Sequence, residues 1–167
     1  MKKIEQYLTS YAAYHRDPRN LTTHFFGIPL IVLSILVLMA QTSWQIAEVT
    51  INLSLIVVLF LSAFYLSLNR IIGLIMLVLL LPLLVVADIL AAHYSWLLGV
   101  PLFVVGWVLQ FIGHYYEGKK PAFVDDISGL IIGPLFVVVE WLFHFGFFAA
   151  LKATIEAEVG PLKRHTN

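Results

Sequence analysis

From Ile71 to Ala87 the chain reads IIGLIMLVLLLPLLVVA, without one charged or hydrogen-bonding side chain. A helix that is apolar on every face has no water-facing side, so it belongs in a deep core or in lipid. A hydrocarbon core of ~30 Å takes about 20 such residues at ~1.5 Å each, and the whole run, Ile71–Ala91, has that length with Asp88 near its end. Four more apolar segments accompany it: Phe25–Ala40, Ile51–Leu68, Trp96–Gly113 and Ile127–Leu151. The chain has 167 residues, of which 60% are hydrophobic and 12% charged; a soluble domain has about 25% charged. So small a soluble protein has too much of its mass near the surface to hide this apolar content. The expected fold class is all-α, an integral membrane helical bundle. It has four clear transmembrane helices, a broken or re-entrant fifth segment and an N-terminal interfacial helix. A single membrane domain, 1–167, accounts for it, with an amphipathic arm at 1–20 and a polar tail at 152–167.

Basic residues set the orientation. Lys2, Lys3, Arg16 and Arg19 lie in the arm, none lies in Gln41–Thr50, Arg70 follows, and Lys119 and Lys120 come after the fourth segment. This alternation predicts a cytoplasmic N-terminus, in a bacterial inner membrane or the endoplasmic reticulum. Asn69 and Arg70 are too short a polar break for anything but a tight helical hairpin. Ile4, Leu8, Tyr11 and His15 fall at helical spacing in the arm; Pro18 is expected to end that helix and Asn20 to cap the next. In the fifth segment Gly133-Pro134 marks the expected break, and Glu140 is a costly carboxylate at membrane depth unless partnered. A return to the cytoplasmic side is the expected path, with a proline-kinked crossing as the alternative.

Zero formal charge, with His counted neutral, points to no nucleic-acid partner. With no cysteine, any metal must be held by nitrogen and oxygen. Topology sorts the six histidines. His15 ends the arm, His24 opens the first crossing and His114 closes the fourth, so all three reach the cytoplasmic face. Glu117 follows His114 by three residues, on the same helical face. Three imidazoles with a carboxylate suit a first-row metal; the competing reading is that each is an ordinary amphipathic interfacial side chain. His93 belongs to the opposite side, near Asp88; His144, one turn beyond Glu140, is expected to pair with it, with an approach to the histidine site as the alternative; His165 lies in the tail. Gly129 and Gly133 read as small-residue helix packing. Lys119 and Lys120 obey the positive-inside rule, with weak steering of a substrate carboxylate as a lesser reading.

Three blocks, YHRDPRNLTTHFFGIP, GWVLQFIGHYYEGKKPAFVDD and GPLFVVVEWLF, resemble the signature blocks of a small integral-membrane family. Its characterised members are iron(II)-dependent dioxygenases that α-oxidise 2-hydroxy fatty acids in phytosphingosine breakdown. The resemblance runs from about Tyr7 to Leu151 and keeps the order and spacing of the blocks. It carries onto His15, Asn20 and His24; onto Gln110, Gly113, His114, Glu117, Pro121 and Asp125; and onto Pro134 and Glu140. The stretch YYEGKKPAF departs from the family, which usually has a bulky residue and a longer basic run there. The resemblance implies Fe(II), dioxygen and a long-chain 2-hydroxy fatty acid, cleaved between C1 and C2 to the acid one carbon shorter. It implies His15, His24 and His114 as metal ligands, and Glu117, Asn20, Asp125 and Glu140 as further ligands or orienting groups. Two other classes compete. A di-iron membrane hydroxylase or desaturase normally shows more histidine boxes than these six scattered residues, and a packing or transport protein needs polar groups along its crossings. Oligomeric state stays open.

Overall fold

The computed structural model describes residues 1–163, apart from the Ser95 side chain. Its helices are α1 (Lys3–Ala12), α2 (Pro18–Ala40), α3 (Leu53–Leu68), α4 (Arg70–Glu117), α5 (Gly129–His144) and α6 (Ala149–Val159). A short hairpin, β1 (Ser43–Ile46) with β2 (Val49–Asn52), precedes α3, and a 3-10 turn (Ala122–Val124) precedes α5. Helix α2, with 23 residues, is long and apolar enough to cross a bilayer; α4 contains two such spans, Arg70–Tyr94 and Trp96–Glu117. The expected third and fourth segments are therefore joined by continuous helix. At 16 residues, α3 is about 24 Å long, short of a full hydrocarbon core. The fifth segment is broken, as expected: α5 and α6 meet at 113°.

The chain packs as two compact units, residues 29–107 and residues 1–28 with 108–167. In the second of these, α1 lays Ile4, Leu8, Tyr11 and Ala12 on one buried face, packed on α5 and α6. Protein covers the apolar stripe of the arm along these contacts. Lys119 Nζ donates to the Ala13 carbonyl at 2.7 Å and closes the C-terminal end of α1. The arm helix thus stops before Pro18, which instead opens α2 at a position where proline loses no helical hydrogen bond. Asp17, not Asn20, caps α2: its Oδ1 accepts from the Arg19 N–H at 2.9 Å. Asn20 is left inside the helix, fully buried.

Pro134 also sits inside α5 rather than at the break. Only one turn precedes it, so the missing donor costs one hydrogen bond near the helix start. The break follows Phe145, where Gly146 at φ 83° forms a Schellman motif. Its N–H donates to the Phe143 carbonyl at 3.0 Å and the Phe147 N–H donates to Leu142 at 2.8 Å. Gly129 and Gly133 do pack closely, as expected: a Cβ at Gly133 would lie 2.9 Å from Tyr11 Oη, and one at Gly129 3.0 Å from the Phe123 nitrogen.

In residues 29–107, α3 and α4 form the tight hairpin. Asn69 is its single linking residue, and its Oδ1 accepts from Ile71 and Ile72 N–H groups, both at 3.0 Å. A Cβ on Gly73 would come within 2.5 Å of Leu66 Cα, so only glycine allows this approach. Val58, Tyr65, Ile72, Met76 and Leu80 are buried, while Leu59, Phe60, Val78, Val85 and Ile89 face outward. Apolar side chains on an outer helical surface are what lipid contact requires. The β1–β2 hairpin was not expected from the sequence: its turn at Ala47 has φ 53°, without the Asn-Gly or Gly signature of such turns. Asn52 then caps α3 through Leu55 N–H at 2.9 Å, which places the helix start two residues after Ile51.

Candidate metal centre

His15, His24 and His114 come together. Each offers one ring nitrogen, and these atoms lie within 4.8 Å of one another. His15 is 0% exposed, His24 1% and His114 6%. Backbone geometry decides which nitrogens face inward. His15 Nδ1 lies 2.7 Å from the Tyr11 carbonyl and His24 Nδ1 lies 2.9 Å from the Asn20 carbonyl. A carbonyl oxygen only accepts, so both Nδ1 atoms carry the proton and both Nε2 atoms present lone pairs. Those Nε2 atoms are 2.9 Å apart. Two acceptors at that distance repel unless a cation lies between them. Metal–imidazole bonds of about 2.0–2.1 Å, as for zinc, meeting near a right angle set nitrogens at about this spacing. His114 adds a buried Nδ1 without a protein partner, a cost that coordination removes. The donor set therefore fits a first-row cation.

The surroundings keep His15 neutral and closely packed. Burial, then the neighbouring His24, push His15 well below the ordinary histidine range. The Tyr11 ring stacks on His15 at 4.2 Å and 5°, and Phe136 tilts against the same imidazole at 5.4 Å.

Glu117 holds the entry to α2. Its Oε2 accepts from the Arg16 and Asp17 N–H groups at 2.9 and 2.7 Å and from Asn20 Nδ2 at 3.2 Å. Its Oε1 accepts from Lys163 Nζ at 2.9 Å. Four donors engage this carboxylate, and it stands apart from the three-histidine donor group. Asn20 Nδ2 also donates to the Tyr14 carbonyl at 3.1 Å, and the Asn20 backbone holds His24. Gly113 makes the helix crossing possible, since a Cβ there would run into Thr23 Oγ1 and Asn20 Oδ1.

The other expected residues sit elsewhere. Asp125 lies in the exposed loop, accepting from Tyr14 Oη at 2.7 Å and paired with Lys120 at 2.5 Å. Those two hydrogen bonds, that from Lys120 the larger influence, hold its carboxyl below the usual range. Glu140 is buried and pairs with Arg16 at 3.4 Å, not with the exposed His144. The pair lines a cleft of about 320 Å³ with Leu21, Phe25 and Trp141. Lys119 and Lys120 are committed to the Ala13 carbonyl and to Asp125. His93 is exposed and bonded to Ile89 of its own helix at 2.8 Å; Asp88 instead accepts from Asn52. His165 lies outside the described residues.

Sequence reasoning missed three participants. Arg16 counts in the sequence only as an orientation charge, Lys163 only as part of the polar tail, and Tyr11 only as an apolar arm residue. Arg16 is 6% exposed, and its Nε donates to the Ala12 and His15 carbonyls at 2.9 and 3.1 Å. An arginine directly after a candidate ligand was the available signal.

An apolar helical membrane protein with three buried, converging imidazoles defines a class: a membrane protein whose histidines could hold a metal ion. The sequence matches the family described as "2-hydroxy-palmitic acid dioxygenase Mpo1-like" over residues 1–145, and the chain belongs to that family. It is 31% identical over 165 residues to the 2-hydroxy-palmitic acid dioxygenase MPO1 of Saccharomyces cerevisiae, spanning 97% of this chain and 92% of the yeast protein. No solved structure matches the chain.

Proposed function

We propose that this chain is an iron(II)-dependent dioxygenase that cleaves C1–C2 of long-chain 2-hydroxy fatty acids. The observation that carries this reading is the pair of Nε2 lone pairs facing each other at 2.9 Å beside the unpartnered His114 nitrogen. Membership of the Mpo1-like family supports the substrate class. With one dioxygen, R–CH(OH)–COOH goes to R–COOH, carbon dioxide and water, a balance that needs no second organic reductant. Bound iron(II) would supply dioxygen activation and a template for the carboxylate and hydroxyl oxygens of the substrate.

The chain's own residues do the rest. The Tyr11 and Asn20 carbonyls hold the Nδ1 protons and so keep both Nε2 atoms available. Tyr11 and Phe136 exclude water from one side of His15. Glu117 and Asn20 fix the crossing of α2 and α4 on which the spacing depends. A long acyl chain partitions into the apolar surroundings, at about 0.8 kcal/mol per buried methylene. The distribution of Lys and Arg supports a cytoplasmic position for the metal-bearing end. A di-iron reading is less well supported, because the three histidines are the one such donor group among the described residues.

The test incubates iron(II)-loaded protein with 2-hydroxypalmitate in air. The expected result is oxygen uptake with the one-carbon-shorter acid, and no shortening of palmitate. Equal shortening of both acids would refute this chemistry.

A further inference from the structure

Near its end α4 buries one stripe, Gln110, Gly113, His114 and Glu117, while Phe111, Ile112, Tyr115 and Tyr116 are exposed. Three of the four have an evident occupation. Gly113 packs under Asn20 and Thr23, His114 completes the metal centre, and Glu117 receives four donors. Gln110 is left: it is 4% exposed, and its Nε2 is buried with no hydrogen-bond partner. It shares the face of His114 from one turn deeper along the helix, on the side toward the apolar interior. A buried N–H donor left unpaired costs about 1–3 kcal/mol, so such a donor beside a candidate metal centre marks the place of an acceptor that arrives with a ligand.

We infer that Gln110 is a positioning residue whose Nε2 donates to the carboxylate of the fatty acid held at the three-histidine centre. This rests on the dioxygenase reading above and adds how the head group is oriented. The carboxylate is the strongest acceptor an acidic lipid brings, and hydrogen bonds to charged groups are about twice as strong as neutral ones. Gln110 and the histidines then hold the head from two sides, and the acyl chain leaves toward the bilayer interior. Asn20 Oδ1 is a second buried atom without a partner; its Nδ2 is fixed by two acceptors, which leaves Oδ1 as a true acceptor. That oxygen is packed against Gly113, which leaves Gln110 Nε2 as the donor open to a ligand.

The experiment uses full-length protein in lipid nanodiscs, iron-loaded and kept anaerobic. Dissociation constants are measured for 2-hydroxypalmitate, palmitate and hexadecane-1,2-diol, which lacks the carboxylate. Gln110→Leu is expected to bind both acids about ten-fold more weakly and the diol unchanged, with wild-type iron content. Gln110→Glu, which sets a carboxylate against the carboxylate, should bind the acids more weakly still. Unchanged acid binding in both variants, or equal weakening of acids and diol, overturns the inference. So does loss of iron in both variants, which would make Gln110 a structural residue. A wild-type protein that binds neither acid removes the dioxygenase reading itself; wild-type binding with unaffected variants removes only the role of Gln110.

Discussion

At the scale of single residues, His15, His24 and His114 differ from the exposed His93 and His144 by their burial and by ring nitrogens that converge. His15 and His24 spend Nδ1 on carbonyls four residues back, and His114 keeps an unpartnered nitrogen. Changing His15, His24 or His114 singly to Ala should therefore lower bound metal at least ten-fold, a typical loss for disturbed coordination. His93→Ala and His144→Ala should retain it, because both side chains are exposed; metal content of the purified variants is the measurement. The depressed affinity of His15 for protons sets a pH dependence. Unfolded, this group titrates near 6.5, while folded it stays neutral to well below that. The unfolded state thus binds more protons as pH falls, and metal-free protein should lose stability from about pH 6.5 downward. Unfolding of metal-stripped protein at pH 7.5 and 5.5 tests the sign, and the drop should be smaller in His15→Asn.

At the scale of helices and turns, the centre depends on how closely α2 and α4 approach. Gly113 is the point of closest contact. Gly113→Ala must push Thr23 and Asn20 aside, an overpacking change that costs about 1–3 kcal/mol. It should lower metal affinity as well as thermal stability, whereas Gly118→Ala, strained by its φ of 70° but with open space around it, should lower stability and leave metal affinity unchanged. Comparing metal titrations of the two variants decides this. The element boundaries show how far sequence patterning reached. The apolar stripe of α1 and the tight hairpin at Asn69 were legible, because each follows from local periodicity or a two-residue polar break. The cap of α2 was misplaced at Asn20, since Asp17 and Asn20 have equal local propensity to cap and the choice depends on Glu117 from another helix. The break in the fifth segment was placed at Pro134 although Gly146 was visible. Proline is a strong breaker in a helix interior but a tolerable residue near a helix start, and where α5 starts depends on packing against the 3-10 turn.

At the scale of the molecule, the bent pair α5–α6 and the tail contacts bear on topology. The Lys163 N–H donates to the Arg16 carbonyl at 2.8 Å, and Lys163 Nζ reaches Glu117, so the end of the described chain lies against the N-terminal arm. A 113° bend is not a straight crossing. Reporter fusions at the two ends should therefore report the same membrane face, and on the distribution of Lys and Arg that face is cytoplasmic; opposite locations would refute the re-entrant path. Hydrophobic length and periodicity act locally, so the sequence by itself determined that this is a helical membrane protein, where its apolar segments run, and which histidines reach one face. It was also enough to exclude thiolate ligands. Whether those histidines meet, which ring nitrogens converge, and that Glu117 closes a polar net rather than joining the donor group were decided only by tertiary structure. These depend on distances set by Gly113, Arg16 and Lys163 across 147 positions of chain from Arg16 to Lys163, where no local pattern records which groups will share a proton or a cation.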